Sequence, residues 1–315
     1  MPPRIKSSGE RPNIESVKSI YRYLTTVRQY ELLKPDFFSV TYRSEHADDR
    51  YTPVEATRRI ARHLRERGFR AVPHLTAVGK NADTPLIAAD AYWSDAMHDI
   101  LVLRGDEPKA GSENTLVYHN ALALMQTLVA RRTEKGGKYG NIFIAANPEN
   151  TGIGDIKYLN AKLITSQRHA GPAAAITQVC LDETQFGEFL QRSFATGILP
   201  TEIVAGILPI HSTIQRIKHF THTIGVNFPD ALERELMTGD LNGYADRAAH
   251  FLERQITGRQ AAKITKFHIY SANNPGSAAA NNPGSATVLA TMLDDKAAPE
   301  IARYRQRANR LAAPR

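Results

Sequence analysis

Asp99-Ile100-Leu101-Val102-Leu103-Arg104-Gly105-Asp106 runs from an apolar stretch straight into an Arg-Gly-Asp turn, followed by Glu107 and Pro108. The stretch is too short to cross a membrane, and charge bounds it on both sides. It reads as a strand buried on both faces that delivers an Arg and an Asp to the rim of a sheet. Segments of the same kind recur along the chain. Enzymes of the α/β class assemble their sites from the loops at the carboxyl ends of such strands.

Outward from this strand, apolar runs alternate with helical patterns. Strands are expected at Phe37 to Tyr42, Phe69 to Thr76, Ile100 to Leu103, Asn141 to Ala146, Ala175 to Leu181, Ile203 to Leu208 and Lys266 to Tyr270. Helices are expected at Ile14 to Leu33, Thr52 to Gly68, Leu86 to Met97, Leu116 to Ala130, Ile156 to Ser166, Phe186 to Ala195, Ser212 to His222 and Ala231 to Thr257. The second of these carries a T-x-x-E capping box, with Thr52 as cap, Pro53 in the first position and Glu55 completing the box. Helical lengths between strands suit parallel crossovers, so a nearly complete TIM-type (β/α)8 barrel is expected, with its first strand missing or supplied unusually. An open doubly wound sheet satisfies the same alternation. The whole of 1–315 reads as one barrel domain with a basic carboxyl-terminal extension. The tandem repeat Ala272-Asn273-Asn274-Pro275-Gly276-Ser277 and Ala280-Asn281-Asn282-Pro283-Gly284-Ser285 reads as a duplicated rim loop.

The single cysteine, Cys180, lies in an apolar run and reads as a buried thiol rather than half of a staple. The amino terminus has no apolar signal core, and no run approaches the roughly 20 residues that span a bilayer. A cytoplasmic protein with no membrane partner is expected. The net charge of +8 favours anionic small molecules. The arginines clustered at Arg58 to Arg70 and Arg303 to Arg310 come with no aromatic ladder, so they read as solvated helix faces and not as a nucleic-acid surface. His219 and His222 share a helical face but have no third metal ligand beside them.

Taken together, Ser39-Val40-Thr41-Tyr42, Pro73-His74-Leu75-Thr76, Leu103-Arg104-Gly105-Asp106, Ile176-Thr177-Gln178 and Gly206-Ile207-Leu208-Pro209-Ile210 resemble the 5,10-methylenetetrahydrofolate reductase family over about Pro2 to Tyr270. The resemblance implies a TIM barrel and FAD, which passes reducing equivalents between NADH or NADPH and methylenetetrahydrofolate to form methyltetrahydrofolate, or runs in reverse. It also implies a homo-oligomer. The family's first strand reads much like Phe-Glu-Phe-Phe-Pro-Pro, with the Glu as proton donor. Met1-Pro2-Pro3-Arg4 looks like its tail, so that strand and its acid are expected upstream of Met1.

By the same resemblance, Thr41, His74, Arg104, Gly105, Asp106, Tyr118, Asp155 and Lys162 are expected to bind the cofactor. Arg104 and Lys162 suit its phosphates, one as a multi-donor fork and the other as a compact charge. Asp106 is the expected catalytic residue and, with Gln178, binds the pterin, where a carboxylate orients amine donors through charge-assisted hydrogen bonds. Ile214 stands where an aromatic residue often packs on folate, and Asp182 reads as shaping the turn that follows it. Arg43-Ser44-Glu45-His46 replaces the family's Gly-rich turn. A flavin-free reductase and a folate-binding or accessory barrel without turnover stay open as alternatives.

Overall fold

The structure is a computed structural model and describes residues 35–41, 53–107, 111, 113–137, 139–169, 173–210, 213–239 and 244–270. The helix expected at Ile14 to Leu33, the Thr52 cap, the Arg43 to His46 turn, the tandem repeat and the basic carboxyl-terminal arginines lie outside the described residues.

The chain order is β1 (Phe38–Val40), α1 (Pro53–Glu66), β2 (Ala71–Thr76), β3 (Val78–Gly79), α2 (Asp83–Ser94), β4 (Ile100–Leu103), β5 (Thr115–Leu116), α3 (Ala121–Glu134), β6 (Ile142–Ala146), α4 (Ile153–His169), β7 (Ala174–Thr177), α5 (Glu183–Ala195), a 3-10 turn at Pro200–Glu202, β8 (Ile203–Ile207), α6 (Ile214–Thr223), α7 (Asp230–Met237), α8 (Tyr244–Ala261) and β9 (Phe267–Ile269). Seven strands pair in parallel in the order β1-β2-β4-β6-β7-β8-β9, while β3 and β5 form a separate antiparallel pair. These seven are the seven strands legible in the sequence.

Local chemistry sets the ends of the helices. At the end of α1 the Gly68 N–H donates to Arg65 O and the Phe69 N–H to Leu64 O, two bonds that require the left-handed φ of +83° at Gly68. Phe69 then packs on the core that α1 covers. Asp182 caps α5, its carboxylate accepting from the N–H groups of Thr184 and Gln185 at 2.9 and 3.1 Å. Two expectations need correction. The helix expected from Leu116 begins at Ala121 instead: Thr115 and Leu116 pair with β3, and Asn120 caps the helix by accepting from the Ala123 N–H. The helix expected over Ala231 to Thr257 is two helices, because Thr238 leaves α7 extended and Gly239 follows at φ +78°.

The sheet is strongly curled. Flat, its two edge strands would lie roughly 29 Å apart at the usual strand spacing, yet the Ser39 Oγ of β1 is 2.9 Å from the His268 Nε2 of β9. The pairing shows how they meet. Ser39 is level with Val72, two residues below His74, whose row runs through Leu101 and Phe143 to Ala174. His268 is level with Gly206, two above Val204 and Ile176, and Ile176 is itself two above Ala174. A progressive rise of this kind is the stagger that tilted strands acquire in a barrel. Among the described residues no backbone ladder joins β1 to β9, so the sheet is an incomplete barrel.

Alternation along the strands separates two cores. Outward residues such as Leu75, Ile100, Val102, Ile142, Ile144 and Ala175 pack beneath the helices. Inward residues Val72, Leu101, Phe143, Ala174, Ile176 and Val204 fill the barrel, with Phe37 and Leu103 against them. A further cluster joins Val179, Leu181, Leu208 and Ile210 to α6, α7 and α8 beside the carboxyl ends of β7 and β8. Among the described residues, no helix is long and apolar enough to cross a membrane.

Candidate active site at the barrel mouth

The apolar filling of the barrel is the floor of the site, and polar side chains stand above it. Ser39 and Thr41 alternate inward from β1, and His74 and Thr76 from β2. His268 and Tyr270 come from β9 and its end. Thr41 Oγ1, His74 Nε2, Thr76 Oγ1 and His268 Nδ1 are buried and have no hydrogen-bond partner among the described residues. A buried polar atom without a partner costs about 1–3 kcal/mol, and four of the nine such atoms among the described residues share this one wall, where a polar ligand would satisfy them. Burial, aided by the neighbouring His268, lowers His74 to about 3, and burial lowers His268 to about 4. Both imidazoles are neutral at pH 7.

Two glycines shape the mouth. A Cβ on Gly206 would lie 2.5 Å from Thr177 O, and the Gly206 N–H donates to Thr177 Oγ1 at 2.8 Å, so β7 and β8 approach as only glycine permits. The Tyr270 hydroxyl reaches Thr177 O at 3.0 Å, and its ring meets His268 edge to face at 4.7 Å. Gly105 sits at φ +83°, with Thr76 Cβ 3.0 Å from where its own Cβ would be. That contact folds the Arg104-Gly105-Asp106 turn over the end of β2.

The expected site residues divide into three groups. His74 lies on β2, and Thr41 and Gly105 follow the ends of its neighbours β1 and β4, with Gly105 against Thr76. Arg104 and Asp106 are exposed on the rim, and Arg104 pairs with Glu107. Lys162, Tyr118 and Gln178 are engaged within the protein. Lys162 is 7% exposed; its Nζ donates to Ala145 O at 2.6 Å and lies 4.9 Å from the Tyr158 ring, and burial lowers it to about 8. The Tyr118 hydroxyl donates to Ala82 O at 3.1 Å, tying the segment after β5 to the start of α2. Gln178 uses both halves of its amide, donating to Ile224 O and accepting from the Val179 N–H, each at 3.0 Å. Asp155 is exposed in the first turn of α4, where a carboxylate complements the helix dipole. Tyr158 accepts from the Leu122 N–H at 3.0 Å and so steadies the start of α3. Ile214 is buried in the cluster beside β7 and β8.

Ser39, Thr76, His268 and Tyr270 were not singled out from the sequence. The available signal was alternation: a polar side chain at every second position of a strand whose other members are apolar. Cys180 is buried, and burial pushes its thiol up to about 12. Among the described residues, no group of three His, Cys, Asp or Glu is placed to hold a metal ion.

Comparison with known proteins places the chain in one family. Residues 15–280 match the family described as Methylenetetrahydrofolate reductase. A 5,10-methylenetetrahydrofolate reductase of Escherichia coli (strain K12) is 31% identical over 251 residues, which cover 76% of this chain and 77% of that protein. One from Pectobacterium carotovorum subsp. carotovorum is 29% identical over 259 residues, 79% of each. Among solved structures, an uncharacterized protein from Clostridium thermocellum that binds two copies of 5-methyl-5,6,7,8-tetrahydrofolic acid aligns with 82% of this chain and 98% of its own at 13% identity, with a TM-score of 0.42. That likeness is too loose to bear on the site. The chain belongs to the methylenetetrahydrofolate reductase family, a family of oxidoreductases.

Proposed function

We propose that this member of the family reduces 5,10-methylenetetrahydrofolate to 5-methyltetrahydrofolate at the barrel mouth, with NADH or NADPH as the source of hydride and FAD as the bound carrier. The observation that carries this reading is the wall of unpartnered buried atoms, Thr41 Oγ1, His74 Nε2, Thr76 Oγ1 and His268 Nδ1, above an apolar floor. A flat heteroaromatic ring with polar atoms at its edge fits that surface. Bound FAD would supply a ring able to accept a hydride and return it to the bridging carbon of the folate.

The chain's own residues bind and orient. Thr41, His74 and Thr76 meet the polar edge of the ring, and Gly105 lets the backbone approach it. Arg104, exposed on the rim, serves the phosphates as a multi-donor fork, and the exposed Asp155 carboxylate accepts from other polar groups of the cofactor. Lys162 adds positive potential at the end of β6 from its buried position, and Tyr118 holds the rim segment in place. Asp106 reaches the amine donors of the pterin, and Gln178, on giving up its bond to Ile224 O, donates its amide N–H to an acceptor of the same ring. As hydride reaches the methylene carbon, the carbon–nitrogen bond to the folate N10 breaks and that nitrogen takes a proton.

Gentle purification followed by titration with FAD, then assay of folate turnover with NADH and NADPH, tests the reading. Saturable flavin binding with flavin-dependent turnover is expected. Asp106→Asn is expected to lower turnover by roughly ten- to a hundredfold while flavin affinity changes little. Turnover without flavin binding would favour a flavin-free reductase. Folate binding without turnover would favour an accessory barrel.

A further inference from the structure

The bond between Ser39 and His268 has a consequence for what the site recognises. Ser39 Oγ and His268 Nε2 are 2.9 Å apart, and His268 Nδ1 is buried with no partner among the described residues. Two proton arrangements are compatible with that distance. If the Nε2 carried the hydrogen and donated it to Ser39, the hydroxyl hydrogen of Ser39 would lack an acceptor and Nδ1 would be an acceptor without a donor. If Ser39 donates to Nε2, the hydroxyl is satisfied and the only group left over is the hydrogen on Nδ1. The second arrangement leaves one unpaired group, the buried Nδ1 hydrogen, where the first leaves both that buried nitrogen and the half-buried Ser39 hydroxyl hydrogen without a partner.

The surroundings fix the ring in space. On one side its strand neighbour at the same level is Gly206, which offers no side chain. On the other side stands Ser39, across the gap between β1 and β9. The Tyr270 ring holds the imidazole edge to face at an interplanar angle of 88°, and the Tyr270 hydroxyl is itself tied to Thr177 O. Among the described residues, no Asp, Glu, Lys or Arg stands on the inward face of a barrel strand, and what lowers His268 is first its burial and then the positive charge of the chain's amino terminus.

We propose that His268 is a ligand-reading residue of this site, presenting its Nδ1 hydrogen to a ring carbonyl oxygen or ring nitrogen of the bound heteroaromatic group, with Ser39 as the positioning residue that fixes its tautomer. The inference rests on the reading that such a group occupies the barrel. The chemistry it selects is the pyrimidinone ring, which flavins and pterins share. It discriminates against a group that offers only donors at that edge.

The test begins on the ligand-free protein. Nitrogen-15 NMR of the imidazoles, with His268 assigned by its loss in His268→Gln, is expected to show the hydrogen on Nδ1 and a shift of the balance toward Nε2 in Ser39→Ala. FAD and 5-methyltetrahydrofolate are then added separately, and the probe whose ring accepts the bond displaces the Nδ1 hydrogen resonance. Affinity for that probe is expected to fall about tenfold in His268→Phe and to recover most of that loss in His268→Gln, whose amide again offers a donor. Ser39→Ala, the milder change, gives the same direction if the Phe variant does not fold. A hydrogen found on Nε2 in the unaltered protein, or unchanged affinity for both probes in His268→Phe, overturns the inference. If the unaltered protein binds neither probe, the folate and flavin reading fails, and the assignment of a pyrimidinone to His268 falls with it, even where the tautomer is as expected.

Discussion

The two halves of the inner barrel wall follow opposite rules. On β1, β2 and β9 the inward positions above the floor are Ser39, Thr41, His74, Thr76 and His268, and most of their polar atoms lack a partner. On β6, β7 and β8 the corresponding positions are Ala145, Ile176 and Gly206, small or apolar, with β7 and β8 drawn tightly together at Gly206. One half is therefore made to read the edge of a ligand, and the other to leave room for its face. A substitution should behave differently on each side. The polar half gives up ligand affinity and keeps its stability, while the small half gives up stability first.

The largest effect expected comes from acid. In the unfolded chain both imidazoles take protons below about 6.5, whereas in the folded protein burial delays this to about 3 for His74 and about 4 for His268. The unfolded state therefore binds more protons as pH falls below 6.5, and the stability that neutral, buried rings confer is full above that pH and lost beneath it. Between pH 6.5 and 5, before most carboxylates titrate, each ring should cost about 2 kcal/mol. Urea midpoints at pH 7 and pH 5 measure the loss, and a His74→Phe, His268→Phe double variant should flatten it. An equal loss in that variant would assign the effect to groups outside the wall and break the comparison.

On the opposite half, Gly206→Val should destabilise by about 3 kcal/mol. Its first carbon would lie 2.5 Å from a backbone oxygen, which cannot swing aside as a flexible side chain would. Moving β7 to make room also breaks the bonds from the Gly206 N–H to Thr177 Oγ1 and from Tyr270 to Thr177 O. Thermal unfolding of the variant decides this, and a loss under about 1 kcal/mol would mean that the β7–β8 approach is slack.

How far these features can be read from the sequence follows from their range in the chain. Ile100 to Leu103 announces itself as a buried strand because four apolar residues end at a charged turn, and the other six strands of the main sheet show as short runs alternating with helical patterns. Thr41 and His74 are legible because they close such strands. The antiparallel pair Val78–Gly79 and Thr115–Leu116 is too short to leave a periodic signal. The break at Thr238 and Gly239 is hidden because the apolar spacing continues through it. Ser39 and His268 lie far apart in the chain, and only the curl of the sheet brings them together. Lys162 is expected from the resemblance to serve the cofactor's phosphates, and the sequence does not reveal that its ammonium is buried and held by Ala145 O.

Gly105→Ala sharpens the comparison where the two halves meet. Its φ of +83° is strained for alanine, and the new methyl would press on Thr76 Cβ at 3.0 Å. A cost of about 1–2 kcal/mol is expected. Because Thr76 belongs to the reading wall, flavin affinity should fall as well. If stability drops while affinity for FAD and folate is unchanged, the Arg104-Gly105-Asp106 turn is structural only.

Thr76→Val is the smallest and most discriminating change. Thr76 is 6% exposed, and its hydroxyl has no partner, while valine has nearly the same shape and deletes only that hydroxyl. If the hydroxyl is held ready for a ligand, the free protein loses nothing by the change and gains up to about 1 kcal/mol from no longer burying an unpaired group. The ligand then loses one hydrogen bond, so affinity falls severalfold with the same fold and the same melting cooperativity. Calorimetric unfolding with and without FAD or 5-methyltetrahydrofolate separates the two terms: the melting temperature should rise slightly in the free protein, and the increment contributed by ligand should shrink. A free protein destabilised by more than about 1 kcal/mol would mean that the hydroxyl already satisfies a group within the barrel. In that case the wall of β1, β2 and β9 is built for its own stability, and the contrast between the two halves disappears.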